Sequence, residues 1–467
     1  MLPTDSVSPP ADESPSFQDL TMTAAHSDRV HDLLIVGAGP VGLALALALK
    51  DAGLDIVLAD TRTRDAVTRD PRDLALAHGT RLTLQGLGVW DGLPTTAIEH
   101  IHISHQGGLG RTLIDAAEHE LPALGYVASA GALAAALRKA VDAAGIPVFD
   151  ETEITNLAAG EDDVIASLAG AGRPAPTLRA RLAACAEGGL RAGDPNVVEH
   201  DYGQHALIAD VQVAGGHRHT AFERFTPQGP VALLPKGQGY ALVHVAHPDT
   251  ADELLALDDA AYLARLQAHI GGRARLTGVG QRLRYPLVLR YRRSTIAQRT
   301  VWLGNAAQTL HPVAGQGFNL ALRDVWALAD TLMKKREAAL AADSRARPGT
   351  PAAPEGAAER AKGQTTEASP KGAQRAPGSK LADAHAATPL RSAFDPGRPE
   401  VLAAYARARG LDRLGAIRFT DTLVRVFSND FGPLRHARGA ALFALDLVPP
   451  LRNWVARRMM FGARAWP

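Results

Sequence analysis

Three glycines between a predicted strand and a predicted helix form the clearest chemical pattern in the sequence. Gly37, Gly39 and Gly42, with Pro40 among them, follow the apolar segment "DLLIV" and precede "LALALALK". In such a turn the first glycine permits a tight bend, the second allows backbone to approach a pyrophosphate, and the third allows close helix–strand packing. Free N–H groups at the helix start favour an anion. The pattern predicts a dinucleotide site.

One acidic residue extends this pattern. Asp60 ends the next predicted strand, "DIVLAD", where a carboxylate can accept hydrogen bonds from a ribose. A glycine triplet alone is weak evidence, whereas the strand, turn, helix, second strand and terminal acid together are strong evidence. The alternative is a glycine-rich turn in an unrelated α/β protein. The pattern alone leaves NAD and FAD open as the ligand.

A second stretch rich in glycine and small residues lies much later in the chain. It reads "GNAAQTLHPVAGQGFNLALRDV" and combines a predicted strand end, a loop and a helix start. It offers no nucleophile and no metal cluster, and we interpret its one histidine, His311, as a packing or hydrogen-bonding residue rather than a proton shuttle. A flavin ring system needs a second loop of this kind, so the stretch favours FAD.

Composition limits the other classes of function. The 50 Lys and Arg residues nearly balance the 49 Asp and Glu residues, so the overall charge does not indicate a nucleic-acid partner. The single cysteine, Cys185, rules out an internal disulfide and a cysteine metal site, and it fits a reducing compartment such as the cytosol. His100, His102 and His105 alternate along a predicted strand without a completing carboxylate, so we predict no metal.

The elements around these residues predict an α/β fold with an inserted antiparallel sheet. The segment from Leu33 to Asp60 reads as a β-α-β unit, and helices are expected over residues 80–92 and 133–144. Short alternating segments between Ala206 and His247 are typical of an antiparallel sheet. The chain then returns to the first domain with "TVWLG".

Two segments have the composition of disordered chain. The first is the acidic, Pro- and Ser-rich N-terminal stretch, which is neither a secretion signal nor a membrane span, and Met22 is an alternative start. The second is a Pro-, Gly- and Lys-rich insertion whose deletion should leave activity intact. No uninterrupted apolar run predicts a transmembrane helix.

The expected division is a tail (1–30), a cofactor domain with some substrate-domain strands (31–200), mainly substrate-domain sheet (201–298), the returning cofactor domain (299–340), the insertion (341–390) and C-terminal helices (391–467).

Five sequence blocks, in order, carry a resemblance to a known family. They are "DLLIVGAGPVG", "LALAHGTRLTLQGLGVWDGL", "AFERFTPQGPVALLP", "YPLVLRYRRSTIAQRTVWLGNAAQTLHPVAGQGFNLALRDV" and "FTDTLVRVFSNDFGPL". With them the chain resembles the FAD-dependent aromatic hydroxylases of ubiquinone biosynthesis, related to the para-hydroxybenzoate hydroxylase group, and among these the branch acting on polyprenylated methoxyphenols. The resemblance covers nearly the whole chain outside the tail and the insertion. It implies a Rossmann-like FAD-binding domain, a sheet domain for substrate and a helical C-terminal region.

The resemblance also implies roles for individual residues. The glycine turn, with Pro40 and Asp60, would hold the ADP half of FAD. Arg72 matches an arginine near the cofactor, although a surface arginine is an equal alternative. The remaining implied contacts are Gly304 and Asn305 at the ribityl chain and phosphate, and Gly315, Gln316, Gly317 and Asn319 at the pyrimidine edge of the flavin. No side chain is assigned a catalytic role, because the flavin performs the difficult chemistry.

One motif departs from the family pattern. The usual Ala-Asp-Gly, followed by Ser and Arg, is here Ala186-Glu187-Gly188-Gly189 with a shortened segment after it. Relatives use this motif at the cofactor and in handling the nicotinamide nucleotide. Glu187 keeps the charge and adds a methylene, so the change is either tolerated or slows flavin reduction.

The implied function is hydroxylation of a polyprenylated phenol with NAD(P)H and dioxygen. Phe222 and Phe225 of the sheet are candidates for the pocket wall or, preferably, for core packing. Another ring position, another aromatic substrate, or a flavin-binding scaffold in a quinone-synthesis complex are the alternatives. The six arginines from Arg435 to the end lie among Leu, Met, Phe and Trp, which fits either a helix on the inner face of the cell membrane or an ordinary packed helix.

Overall fold

The computed structural model describes most of the chain between residues 29 and 461. The described ranges are 29–107, 111–169, 176–312, 315–346, 394–427, 443 and 446–461. The alternative start at Met22, nearly all of the predicted tail and residues 347–390 of the predicted insertion therefore lie outside them. The chain divides into one unit of Met1–Met333 with Pro396–Pro467, which contains every site discussed below, and a second unit of Lys334–Asp395. The described part of the second unit is chiefly the continuation of one helix.

The elements follow the α/β order expected from the sequence. The strands are β1 (Val30–Val36), β2 (Ile56–Ala59), β3 (Asp73–Ala77), β4 (Thr95–Ile98), β5 (His100–His105), β6 (Arg111–Asp115), β7 (Gly125–Ser129), β8 (Val148–Phe149), β9 (Ile154–Ala159), β10 (Val164–Leu168), β11 (Thr177–Cys185), β12 (Val197–Ala214), β13 (Thr220–Thr226), β14 (Gly229–Lys236), β15 (Gly239–Ala246), β16 (Arg275–Val279), β17 (Leu283–Arg292), β18 (Ile296–Ala297), β19 (Thr300–Trp302) and β20 (Gln308–Thr309). The helices are α1 (Pro40–Ala48), α2 (Arg64–Thr68), α3 (His78–Gly86), α4 (Ala130–Ala143), α5 (Pro248–Ala256), α6 (Asp259–Ile270), α7 (Gln316–Ala346), α8 (Pro399–Phe427) and α9 (Pro449–Phe461).

The first sheet has a parallel centre. Its order is β18-β19-β11-β1-β2-β8, with β9 and β10 added antiparallel beside β11. Leu33, Leu34 and Ile35 of β1 are fully buried, as expected for a strand covered on both faces. The carboxyl end of β1 therefore delivers the glycine turn to the edge where parallel sheets bind ligands.

The second sheet is the predicted antiparallel insertion. Its order is β20-β17-β12-β15-β14-β13-β5-β6, with β16 beside β12, and only the β13–β5 pair is parallel. One face packs its apolar residues, including Phe222, Leu233 and Tyr240, into a core with α5 and α6. The other face carries Ala221 and Phe225 and packs into two separate clusters. A small third sheet, β3-β7-β4, contributes Val127 to one of these clusters.

The predicted fold class is confirmed, with shifted element boundaries. The first strand begins at Val30 rather than Leu33, and the helix expected over residues 80–92 is α3, which ends at Gly86. Gly88 follows in the left-handed region with φ of 75°, which a continuing helix does not allow. Helix α7 continues through the Ala-rich segment to Ala346, beyond the predicted start of the insertion. Among the described residues, no helix is both long and apolar enough to cross a bilayer.

Candidate functional site

Two glycines of the turn after β1 are required by the packing of the protein itself. Gly37 has φ of 105°, a conformation that residues with a side chain rarely adopt. A Cβ added to Gly42 would lie 1.9 Å from the carbonyl oxygen of Gly37, so only glycine lets α1 approach the turn this closely. These two residues shape the turn.

Gly39 differs from its two neighbours. Its φ of −74° is open to any residue, and the nearest described atom to an added Cβ is the flexible Nη2 of Arg62, at 3.4 Å. It is the N-cap of α1, with Pro40 in the first turn, and no side chain in the described part of the chain caps this helix start. The missing side chain thus leaves room for a ligand anion directly in front of the helix.

Asp60 lies against the same turn and is already engaged by protein donors. Its buried carboxylate accepts hydrogen bonds from the N–H of Ala38 at 2.7 Å and from Arg62, whose Nε and Nη2 lie 2.9 and 2.8 Å away. Burial opposes ionisation, but these hydrogen bonds and the Arg62 charge hold the pKa of Asp60 below its usual value. Arg62 was not among the predicted site residues, although its position two residues after the terminal acid is a usable signal.

Arg72 belongs to a neighbouring ion pair at the surface. Its half-exposed guanidinium binds Asp70 through Nε and Nη2. Arg62 and Asp70 influence each other electrostatically, so the Asp60–Arg62 and Asp70–Arg72 pairs lie close together. Arg72 therefore lies near the glycine turn as part of this second ion pair.

The second predicted loop meets the first at Gly304. A Cβ on Gly304 would lie 3.1 Å from Cγ2 of Val41 in α1 and 3.2 Å from Cβ of Ala321 in α7. The Gly304 N–H donates to the buried carboxylate of Asp324 at 3.0 Å. Asn305 beside it is exposed. Folding therefore brings together two loops that are far apart in sequence, as the FAD interpretation requires.

The start of α7 is fixed against β3 and α3 by Asn319. Its Oδ1 accepts from the Ala77 N–H at 2.8 Å and from the Thr80 hydroxyl at 2.7 Å, while its Nδ2 donates to the carbonyls of Ala75 and Gly315 at 2.9 and 2.8 Å. This buried side chain thus makes four hydrogen bonds within the protein. Its position supports the helix start, whose backbone was predicted to face the flavin.

The other residues of this loop have different surroundings. Gly315 has φ of 59°, and an added Cβ would lie 2.7 Å from Cβ of Ala75, so glycine is needed there. Gln316 is buried and accepts a hydrogen bond from Arg323 at 3.2 Å. No described atom lies within 4 Å of an added Cβ at Gly317. The backbone at Gly317 therefore has open space beside it.

The altered motif that begins at Ala186 packs directly against Gly37. A Cβ on Gly37 would lie 2.7 Å from both the Ala186 oxygen and the Glu187 Cα, and the Ala186 N–H donates to the Val36 carbonyl at 2.7 Å. Partial desolvation and the nearby Asp60 raise the pKa of Glu187, although its side chain keeps contact with solvent. The departure from the family pattern is therefore part of the predicted cofactor site.

An apolar cavity of about 100 Å³ adjoins the start of α7. It lies between the site-facing surface of the second sheet, the strand β3 and helix α9. Its apolar lining includes Ile101, Ile103, Ile114, Leu124, Met459 and Met460. Gln316 and Asn319 border it on the α7 side. Ligand sites are mostly apolar, with few polar groups, and usually enclose roughly 300–1,000 Å³, so this cavity has the lining of such a site but only the size of one end of it.

The two phenylalanines proposed as alternative pocket residues pack in the core. Phe222 points into the core with α5 and α6, on the opposite face of the sheet. Phe225 stacks on Phe427 with ring centroids 4.1 Å apart. Core packing, the preferred interpretation of the sequence, therefore describes both residues.

His311 also has the environment of a packing residue. Its buried ring lies edge-on to Tyr202, with centroids 5.4 Å apart, and burial lowers its pKa to about 4. The ring is therefore neutral near pH 7. In the described ranges, no three His, Cys, Asp or Glu side chains come together as a metal site.

Comparisons with known proteins agree with this geometry. The FAD binding domain family matches residues 31–341. Ubiquinone hydroxylase UbiL of Rhodospirillum rubrum is 29% identical over 452 residues, covering 94% of this chain and 92% of that protein. 3-demethoxyubiquinol 3-hydroxylase of Escherichia coli is 29% identical over 332 residues, covering 65% of this chain and 80% of that protein.

Solved structures share the fold at low sequence identity. p-Nitrophenol 4-monooxygenase PnpA from Pseudomonas putida DLL-E4 has a TM-score of 0.65 and 16% identity, covering 93% of this chain and 99% of that chain. PqsL from Pseudomonas aeruginosa, described as a probable FAD-dependent monooxygenase, has a TM-score of 0.60 and 19% identity, covering 88% and 100%. At these identities the similarity concerns the fold.

Proposed function

The chain belongs to the FAD binding domain family, and from this premise we propose that it hydroxylates the ring of a polyprenylated phenol in ubiquinone biosynthesis. It is a flavoprotein monooxygenase whose cofactor is FAD. A reduced nicotinamide nucleotide and dioxygen are the co-substrates. The apolar cavity beside the start of α7 carries this proposal, since it provides a ring-binding space next to the proposed flavin contacts.

The residues of the two loops fit FAD. The space in front of Gly39 and the uncapped start of α1 suit the pyrophosphate, and Asp60 with Arg62 suits the adjacent ribose and phosphate. Gly304 and Asn305 would lie along the ribityl chain, and Gly315, Gln316 and Gly317 at the flavin ring. Bound there, FAD supplies the activation of dioxygen for transfer of one oxygen atom to the ring. The protein contributes positioning and the exclusion of water.

We further propose that α8 and α9 contact a membrane surface. Helix α9 buries Ala456 and Met460 against the body and leaves Leu451 and Trp454 about half exposed on its outer side. Phe419 of α8 shares a small cavity with Trp454. An exposed apolar surface next to arginines suits an anionic lipid interface, where a polyprenyl chain resides.

The test is turnover by the FAD-loaded protein. Purified protein should oxidise NADPH or NADH and convert a farnesylated methoxyphenol to a product carrying one added oxygen, detected by mass spectrometry with ¹⁸O₂. Oxidation of the nucleotide without a hydroxylated product would contradict the proposed substrate class. Reduction of the flavin by neither nucleotide would instead favour the scaffold alternative.

A second measurement on the same protein tests the role of Glu187. The anaerobic rate of flavin reduction should be compared between the native protein and Glu187→Asp, which restores the family's residue. If Glu187 slows hydride uptake, the Asp variant should be reduced faster with an unchanged FAD content. Equal rates would show that the longer side chain is tolerated.

A further inference from the structure

A buried carboxyl group faces the substrate side of the second sheet. Glu223 lies on β13 between Ala221 and Phe225, and alternation along a strand places all three on one face. Ala221 packs with Ile101, and Phe225 packs with Ile103. Glu223 therefore lies on the face that borders the apolar cavity, opposite to the face that forms the core with α5 and α6.

Strand pairing sets Glu223 directly beside the cavity wall. Its partner on β5 is Ile103, which lines the cavity, and its partner on β14 is Ala232. Neighbouring residues on paired strands have Cβ atoms about 5 Å apart. A ring bound beside Ile103 would therefore lie next to the same sheet face as Glu223, one strand away.

The carboxyl group lacks the partners that normally accompany a buried acid. Its Oε1 is buried and has no hydrogen-bond partner among the described residues. Burial alone raises the pKa of Glu223 to about 7, and no cation in the described part of the chain opposes this shift. Arg224, next in sequence, points to the other face and donates to Ser104.

The other titratable groups near this face have positions or partners of their own. His105 lies on β5 beside Phe225, and Tyr202 donates to Asp421 near His311. None of them contributes to the pKa shift of Glu223. The residues that line the apolar cavity include Ile103, the strand partner of Glu223, but not Glu223 itself.

We infer that Glu223 is a catalytic base that accepts the proton of the substrate's ring hydroxyl. This inference rests on the proposed hydroxylation. As the ring carbon gains oxygen, the phenolic O–H bond breaks and an O–H bond forms on the Glu223 carboxylate, without any change in oxidation state at Glu223. When aromaticity is restored, the ring carbon releases its proton to solvent, and Glu223 returns the proton that it holds to the phenolic oxygen. A base that titrates near the working pH is well suited to this transfer.

The test compares Glu223→Gln with the native holoenzyme. We expect kcat for the farnesylated methoxyphenol to fall by about 100-fold or more, the usual contribution of a general base, with a much smaller change in KM. The native kcat should rise with pH as the carboxylate forms, and this rise should be absent in the Gln variant. Glu223→Asp should keep the rise.

Two controls separate this role from a structural one. Glu199→Gln removes an exposed carboxylate of the same sheet, paired with Arg290, and should leave kcat unchanged. The native enzyme should also turn over the methyl ether of the phenol more slowly than the phenol, because the ether has no proton to give. This second comparison needs no variant and holds even if a substitution impairs folding.

The outcomes distinguish the inference from the proposed function. If native enzyme hydroxylates the phenol and Glu223→Gln keeps kcat within about twofold with the same pH profile, only the role of Glu223 is overturned. If the ether reacts as fast as the phenol, the proton transfer is likewise overturned. If native enzyme reduces its flavin but forms no hydroxylated product, both the proposed function and the inference fall.

Discussion

At the residue scale, different physical reasons explain why each of the three positions after β1 is a glycine. Gly37 and Gly42 are needed because protein atoms approach where a side chain would stand. Gly39 has no such neighbour in the described part of the chain apart from a flexible arginine. Gly39 is therefore the glycine that the fold does not require, and we propose that it is glycine so that backbone can approach the pyrophosphate closely.

Substitution by alanine should separate these reasons. Gly39→Ala should change the apoprotein's free energy of unfolding by less than about 1 kcal/mol, the scale of an N-cap effect, yet weaken FAD binding by about tenfold or more. Gly42→Ala should lower the free energy of unfolding by about 1–3 kcal/mol or more, because its Cβ would overlap the Gly37 carbonyl. Denaturant unfolding and flavin titration measure both effects. Equal stability losses in the two variants would contradict this division.

At the element scale, the N-terminal half of α7 is held by buried polar contacts. Asp324 accepts from the Gly304 N–H, from Gln308 at 2.7 Å and from Nε of Arg409 in α8 at 2.8 Å, and it forms an ion pair with Arg409 Nη2 at 2.7 Å. Burial alone would lower the pKa of Arg409, but the charges of Asp324 and Asp412 hold it above its usual value. A paired and hydrogen-bonded charge of this kind fixes α7 relative to the Gly304 loop.

Asn319 makes the corresponding connection to β3, and its removal gives an element-scale prediction. Asn319→Ala should lower the free energy of unfolding by about 2–4 kcal/mol, because buried groups of Ala75 and Ala77 lose their partners. Asn305→Ala is the control, since an exposed side chain should change stability by about 0.5 kcal/mol or less. Urea denaturation of the apoproteins measures this difference. A similar small effect for both variants would show that the start of α7 does not depend on Asn319.

At the scale of the whole molecule, helix α9 closes the cavity on one side and exposes apolar residues on the other. Met459 and Met460 of α9 line the cavity, while Leu451 and Trp454 of the same helix face outwards. One helix thus connects the proposed substrate space with the proposed lipid surface. A prenyl chain extending from the cavity beside α9 would reach that surface.

Lipid binding is the prediction at this scale. Replacing both Leu451 and Trp454 by serine should reduce flotation with anionic vesicles by about tenfold or more, since each buried apolar side chain contributes about 1.5–3 kcal/mol. Leu113→Ser is a control, because Leu113 is comparably exposed on β6. The native binding should weaken as salt is raised, since arginines supply part of it. Unchanged flotation of the double variant would exclude this surface.

The sequence by itself determined the cofactor class, the fold class and the family. Gly37, Gly39, Gly42 and Asp60 impose their turn and strand geometry locally, so their spacing was sufficient to predict the dinucleotide site. The Gly304 loop and the alternating segments of the sheet could also be predicted from the sequence. Turns and strand periodicity likewise depend on residues close together in the chain. The FAD binding domain match over residues 31–341 confirmed the resemblance.

Only the tertiary structure decided which distant residues meet. The contact of Gly304 with Val41, the clamp of Asn319 on β3, and the approach of Glu187 to Gly37 join segments far apart in sequence. Glu223 had no signal in the sequence, because an alternating strand does not reveal which face borders a cavity or whether a carboxylate finds a partner. Those properties depend on packing between elements, and packing is settled only when the whole chain has folded.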